Sequence, residues 1–175
     1  KSRLSTGMTP LPDDSTVVAP FTLLQSQNYK LCVSIGLISR LIPVRAVLDT
    51  GAGPNLIRED VLPIGWEHAL IPGQTLPRVS NASGRRMPVK GVVQLTTRVG
   101  DLVRRIRFLV TSDLAVPCIL GCHFINAHVK GILPRDRRVD LCEGGSISIL
   151  GKYEGCPISP ETIKVGRVSN KVRVA

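Results

Sequence analysis

Aromatic residues make up only 3% of the 175-residue chain. Modules that read single-stranded nucleic acid stack bases on aromatic platforms, so that class loses its main device here. Valine, isoleucine and leucine must build the core instead, which suits strands. No apolar run approaches the roughly 18 residues that would mark a membrane-spanning helix, and no secretory signal pattern opens the sequence. CxxC is absent, and the five cysteines (Cys32, Cys118, Cys122, Cys142 and Cys156) are odd in number, which argues against a disulfide framework. Cys118, Cys122, His123 and His128 lie near one another, but their spacing matches no zinc pattern, so neither a metal nor another cofactor is expected. Reduced, buried thiols in an intracellular chain are the expectation. No tandem repeat of the solenoid type is present.

Acidic residues are the scarcer charge. Thirteen Asp and Glu face 23 Lys and Arg, a net charge of +10. Such a balance favours polyanionic company, nucleic acid or acidic protein, or else a plainly basic solvated surface. The cations fall in short clusters, Arg85-Arg86, Arg104-Arg105 with Arg107, and Arg135 with Arg137-Arg138, and none forms a basic helix. Asn81-Ala82-Ser83 is a glycosylation sequon in form only, since no secretory signal accompanies it.

Apolar content of 43% is enough for one folded domain. Residues 1–20 are rich in Pro, Ser, Thr and Asp and read as a linker or flexible arm; residues 151–175 read as a C-terminal tail. Between them, alternation marks strands. Leu31, Val33 and Ile35 share one face of 29–40, and a second strand over 41–49 makes a hairpin with it, turning near Ser39-Arg40. Residues 55–62 suggest a short helical turn, and 63–77, broken by prolines and glycines, an irregular segment. Residues 78–96 read as two strands around the polar turn NASGRR. In 101–110, Ile106, Phe108 and Val110 face one way and Arg105 and Arg107 the other. A buried strand over 116–121, one or two helical turns over 123–129 and a hairpin over 137–150 complete the pass. About eight short strands and little helix predict an all-β domain, closed or orthogonally packed.

The most informative stretch is AVLDTGAGPNLI, residues 46–57. An apolar strand runs straight into the carboxylate of Asp49 and is broken at once by glycines. A carboxylate there either caps a solvated turn or acts as a general base on water. Thr50 supplies a hydroxyl that can bond to backbone or to a second copy of itself. Gly51 lets the chain turn tightly and approach a ligand.

In order along the chain stand VLDTGAG (47–53), the glycine-bearing hairpin VSNASGRRMPVKG (79–91) and CILGCHFIN (118–126). This ordered set resembles the retropepsin-like aspartic proteases of retroviruses and LTR retrotransposons, over roughly residues 29–150, and looks closest to the retrotransposon enzymes. The resemblance implies a small closed acid-protease barrel with one short helix and one lobe per chain, spanning residues 21–150. It implies catalysis by Asp49 with Thr50 and Gly51, and substrate contact from Ala52 and Gly53 and from a flap containing Ser80, Asn81, Ala82, Ser83 and Gly84. It places the Leu120-Gly121 segment behind the catalytic loop. Three departures stand out. His123 occupies a position that is often acidic, the flap is poorer in glycine than many retroviral ones, and the Ser or Thr often found soon after DTGA gives way to Gly53-Pro54-Asn55.

The family's chemistry needs two aspartates. No second Asp-Thr-Gly and no Asp-Ser-Gly occurs, and a two-lobed enzyme would need about twice the length. The resemblance therefore implies a homodimer in which two copies of Asp49 share a water. Its substrate would be an extended polypeptide, and its origin a retroelement polyprotein, consistent with a start at KSRLSTGM and linker-like ends. It implies a cytoplasmic location, including retroelement particles, with nucleic acid as a partner through the parent polyprotein and no membrane. The competing expectation is an inactive module of the same fold that serves dimerisation or nucleic-acid association.

Overall fold

A computed structural model describes residues 29–37 and 40–156. The expected hairpin is present: β1 (Tyr29–Gly36) pairs antiparallel with β2 (Leu41–Leu48) over eight residue pairs. Ser39, half of its anticipated turn, lies outside the described residues, as does the segment 1–20. Alternation does here what a strand period demands. Leu31, Val33 and Ile35 are at most 1% exposed and point into the same interior as Val44, Ala46 and Leu48.

After β2 the chain forms β3 (Leu56–Arg58), a single 3₁₀ turn at Glu59–Val61 and another at Trp66–Ala69. The helical turn expected over 55–62 is thus a strand first and a helix only for its last residues. Leu56 and Ile57 are buried on both sides by β7 and β8, and that pairing outweighs local preference. A small hairpin of β4 (Val79–Ser80) and β5 (Arg86–Met87) follows. Next come two long strands, β6 (Gly91–Val99) and β7 (Leu102–Thr111). They pair over nine residue pairs through the two-residue turn Gly100-Asp101. Gly100 has φ +59°, and a glycine at the first turn position matches the right-handed twist of the strands.

The remaining elements are β8 (Cys118–Leu120), the helix α1 (Cys122–His128), β9 (Val129–Leu133), β10 (Arg138–Leu141) and β11 (Ser146–Ser148). The hairpin expected over 137–150 is β10–β11, but it gains β9 as a third strand. That strand was not anticipated because VKGIL carries a lysine and a glycine and none of its residues is fully buried.

The six strands close in the order β1-β2-β8-β3-β7-β6, and β6 returns to β1. One crossing dominates the topology. β2 and β3 are consecutive in the chain yet do not pair; β8 is inserted between them, parallel to β2 and antiparallel to β3. The interior is filled by Phe108, Leu95, Val93, Ile57 and Leu120, and Phe124 of α1 and Val139, Leu141 and Ile147 of the three-stranded sheet belong to the same core. Burial of aliphatic side chains, at roughly 1.5–3 kcal/mol each, replaces the missing aromatics as the main stabilising term. Residues 150–156 fold back on the hairpin. The Leu150 N–H donates to the Lys30 carbonyl at 2.7 Å, and Arg45 donates to the Glu154 carbonyl. The Gly151 N–H and, beside it, Arg137 hold the Glu154 carboxyl below the usual carboxylate range.

Cys118 is fully buried in β8, and burial pushes its thiol up to about 12. At mildly alkaline pH its reactive thiolate is therefore scarce, whereas Cys142 is exposed. Iodoacetamide near pH 8 should label Cys142 in the native protein and reach Cys118 only after denaturant unfolds the barrel. Mass-mapped labelling checks this, and equal native labelling of the two cysteines would contradict the placement of β8.

Candidate active site

The loop between β2 and β3 carries Asp49, Thr50, Gly51, Ala52 and Gly53, and the inserted β8 determines its shape. The Asp49 N–H donates to the Leu120 carbonyl at 3.0 Å, continuing the β2–β8 pairing by one step. A helix leaves its first N–H groups without partners inside the helix. Here the N–H of Cys122 donates to the Ala52 carbonyl at 2.7 Å, and that of His123 to the Gly53 carbonyl at 3.0 Å. The Cys122 thiol lies 3.2 Å from the Thr50 carbonyl. Each of these bonds contributes a net 0.5–1.5 kcal/mol or so, and together they leave the loop little freedom.

Asp49 is half-buried at the end of β2. Its Oδ1 accepts the Gly51 N–H at 2.8 Å, so the carboxylate is aimed by its own loop. Thr50 and Gly51 are exposed at the loop tip. Gly121 is glycine for a steric reason. A Cβ there would fall 2.4 Å from the Pro54 carbonyl oxygen, 2.8 Å from that of Ala52 and 2.9 Å from that of Gly53. The loop backbone is stacked on residue 121 so closely that no side chain fits.

Asn55 is the residue the sequence reading missed. It is 6% exposed, one of only three buried polar residues among those described. Its Oδ1 accepts the Gly121 N–H at 3.0 Å, its Nδ2 donates to the Arg107 carbonyl at 3.2 Å, and its own carbonyl accepts the Leu109 N–H at 2.9 Å. One amide side chain therefore ties the end of the Asp49 loop to β7 and to the residue that follows β8 at once. Its signal was present as a departure, since it stands where a hydroxyl residue is common. An amide offers both a donor and an acceptor, and the fold uses both.

Ser80, Asn81, Ala82, Ser83 and Gly84, expected to form a flap, lie on the β4–β5 hairpin. Asn81 organises its turn: Oδ1 accepts the Ser83 N–H, the Ser83 hydroxyl and the Arg85 N–H at 3.1, 2.7 and 2.9 Å. Its carbonyl accepts the Gly84 N–H at 2.9 Å. An exposed ion pair, Arg85 with Asp113 at 3.6 Å, connects the turn to the segment before β8. The stem borders a cavity of about 450 Å³ lined by Leu76, Pro77, Arg86, Met87, Pro88 and Val89. A second apolar cluster, separate from the barrel interior, joins the start of the β4–β5 hairpin to β3. Leu56, directly after the catalytic loop, packs with Val92 and Leu109, and Val79, Val89 and Ile119 lie against them. Leu109 belongs to the same face of β7 as Arg105 and Arg107. That face turns apolar at this point, forming a floor beneath the flap stem. Among the described residues no group of three or more His, Cys, Asp or Glu side chains is arranged to hold a metal.

The family model described as retroviral aspartyl protease matches residues 25–132, more than half of the chain. The chain belongs to that family. Among curated proteins, none matches its sequence. Of solved structures, the retroviral protease-like domain of Ddi1 from Leishmania major aligns with a TM-score of 0.53 and 16% identity, over 71% of this chain and 97% of that domain. EIAV protease, in complex with the inhibitor HBY-793, aligns with a TM-score of 0.42 and 17% identity, over 58% of this chain and 88% of that one. The retropepsin-like fold expected from the ordered motifs is therefore the fold observed: a closed six-stranded barrel with one short helix.

Two variants test the construction of this retropepsin-like site. Asn55→Ala removes one buried acceptor and one buried donor. It should cost about 2–4 kcal/mol, because two main-chain groups lose their partners. Gly121→Ala should cost more than an ordinary overpacking change of about 1–3 kcal/mol, because backbone rather than a side chain must move. Denaturant titration measures both, and a change below about 0.5 kcal/mol at Asn55 would show that the amide does not hold the loop. For the flap, Asn81→Ala should speed hydrogen exchange at residues 82–85 several-fold while leaving β6 and β7 protected. Unchanged exchange there would remove Asn81 as the organiser of the turn.

Proposed function

We propose that the protein is an aspartic endopeptidase that works as a symmetric homodimer and processes a retroelement polyprotein. The observation that carries this reading is one carboxylate, Asp49, aimed by Gly51 on a loop pinned from behind, with Thr50 exposed beside it. A single chain offers one such carboxylate, so a second copy brought up on a two-fold axis completes the pair. Thr50 is exposed at the loop tip, and in this reading its hydroxyl bonds to the partner loop while its carbonyl accepts from the Cys122 thiol.

Two carboxylates a few ångströms apart do not both ionise easily, so the pair keeps one proton; aspartic proteases are the standard illustration of this rule. The ionised Asp49 takes a proton from a water as its oxygen attacks the scissile carbonyl carbon. The protonated Asp49 of the other subunit donates to the carbonyl oxygen, giving a neutral tetrahedral diol. Breakdown reverses the roles: one carboxylate accepts a diol proton and the other gives its proton to the departing amine. No covalent enzyme intermediate forms and no cofactor is needed.

Substrate would lie extended between the catalytic loops and the flaps, meeting backbone groups in strand fashion. Ala52, Gly53 and the flap residues 80–84 are placed for that role in this reading. Gly53 is exposed, and a Cβ there would meet no atom within 4 Å, so the chain's own packing leaves room for a ligand on that side. The apolar floor of Leu56, Val92, Leu109 and Ile119 suits aliphatic or aromatic substrate side chains. The enzyme proper is residues 21–150, with 1–20 and 151–175 as flanking linkers, and it acts in the cytoplasm or within retroelement particles.

The test is cleavage of the chain's own flanking polyprotein by wild-type and Asp49→Asn proteins over a dilution series. Asn is nearly isosteric but cannot act as a base, so turnover should fall by at least about 10²–10⁴-fold with the fold intact. Wild-type specific activity should rise with protein concentration until dimers dominate. Near-normal turnover in folded Asp49→Asn protein, or full activity of a demonstrated monomer, would sink the reading. A folded wild-type dimer that cleaves nothing would favour the inactive module.

A further inference from the structure

None of the six barrel strands contains Asp or Glu, and apart from Arg58 of β3 their cations lie on four neighbouring strands. Four contiguous strands, β7, β6, β1 and β2, contain Lys30, Arg45, Arg98, Arg104, Arg105 and Arg107 and no Asp or Glu. Arg45 donates to the Glu154 carbonyl and Arg104 pairs with Glu143. Arg98, Arg105 and Arg107 are exposed, and none makes an ion pair with any described residue. Register places them together. Thr96 lies opposite Arg105, Gln94 opposite Arg107 and Val103 opposite Arg98, so the three guanidinium groups share the outer face of the β6–β7 hairpin. Arg105 and Arg107 stand two residues apart on one strand, roughly 6.6–6.8 Å along it, and Arg98 is on the neighbouring strand about 4.8 Å across, one diagonal step from Arg105. Ser34 of β1, opposite Arg98 on its other side, continues the face with a hydroxyl.

Like charges gathered on one sheet face repel one another. No acid on this face offsets that repulsion: positions 94 and 96, both half-buried, hold Gln and Thr, neutral groups able to hydrogen-bond. Arginine rather than lysine suits bidentate contact with phosphate oxygens. No aromatic residue stands on this face, so bases have nothing to stack on, and contact would be to the backbone and indifferent to sequence. We infer that the outer face of the β6–β7 hairpin is a docking surface for the phosphate backbone of nucleic acid, separate from the peptide-cleaving site and independent of it. The occupant is a nucleic acid strand held by Arg98, Arg105 and Arg107, with Gln94, Thr96 and Ser34 as neutral partners. The face ends at Leu109, where β7 turns apolar beneath the flap stem, so a bound strand would track the barrel wall beside the substrate floor.

The experiment is fluorescence anisotropy of a labelled oligo(U) RNA with the full chain, from about 50 to about 200 mM salt. Single-strand binding weakens with a log–log salt slope of about 0.7 per phosphate contact. Arg98→Gln/Arg105→Gln/Arg107→Gln should lower that slope by about 2 and weaken low-salt binding at least tenfold. The matching Arg→Lys triple should keep the slope, and it supplies a folded comparison if the Gln triple melts early. Lys130→Gln/Arg135→Gln/Arg138→Gln removes the same charge from the other sheet and should leave the slope nearly unchanged. The inference is overturned if both Gln triples lose binding equally. It is overturned too if the β6–β7 triple binds like wild type, or if polyglutamate of equal charge displaces the RNA as well as unlabelled RNA does. Because binding is read on RNA alone, the result is independent of whether Asp49 cleaves peptides.

Discussion

The insertion of β8 between β2 and β3 is the constraint on which the site depends. Two strands that follow one another would ordinarily pair and turn tightly. Here they are held apart by a third, and the loop that joins them must arch over its end. That arch carries Asp49. Its carbonyls would be unsatisfied against the barrel, and the first N–H groups of α1 would be unsatisfied at the helix end; each set supplies the other's partners. The close stacking that makes this possible admits no side chain at residue 121. Asn55 closes the arrangement from below. Geometry at the carboxylate is thus a property of the barrel closure, so a change in β8 or α1 reaches the Asp49 loop without touching Asp49 itself.

Much of this was legible in the sequence where burial on one face imposes a period. Leu31, Val33 and Ile35, and Ile106, Phe108 and Val110, announce their strands because one side is core and the other water. The loop after β2 was legible as a loop because an acid and glycines interrupt an apolar run. Hidden were the features that only long-range contact creates. Leu56–Arg58 is a strand because β7 and β8 flank it, not because of its own residues. Asn55 looks like a turn residue and is a buried brace. Leu109 breaks the alternation of β7 because that stretch is covered on its outer face too, by Leu56 and Val92. Asn81 reads as a sequon and is the acceptor at the centre of the flap turn.

The same alternation connects the two uses proposed for β7. Its inner face fills the barrel at Leu102 and from Ile106 to Val110, while Arg104 between them is exposed and pairs with Glu143. Its outer face is cationic at Arg105 and Arg107 and apolar at Leu109, and the change falls where the flap stem begins to cover it. A basic wall and a hydrophobic floor are then adjoining parts of one strand surface. Part of the chain's positive charge gathers on strands that are contiguous in the barrel and contain no acid.

The central claim is that two copies of Asp49 share one reaction. Subunit mixing tests it most directly. Wild-type and Asp49→Asn chains are unfolded together, refolded in varying proportion at fixed total concentration, and assayed on the same polypeptide. If each active site needs a carboxylate from both chains, activity follows the square of the wild-type fraction, and an equal mixture keeps about a quarter of the pure wild-type activity. A linear dependence, with half the activity retained, would mean that each chain cuts alone and would contradict the account.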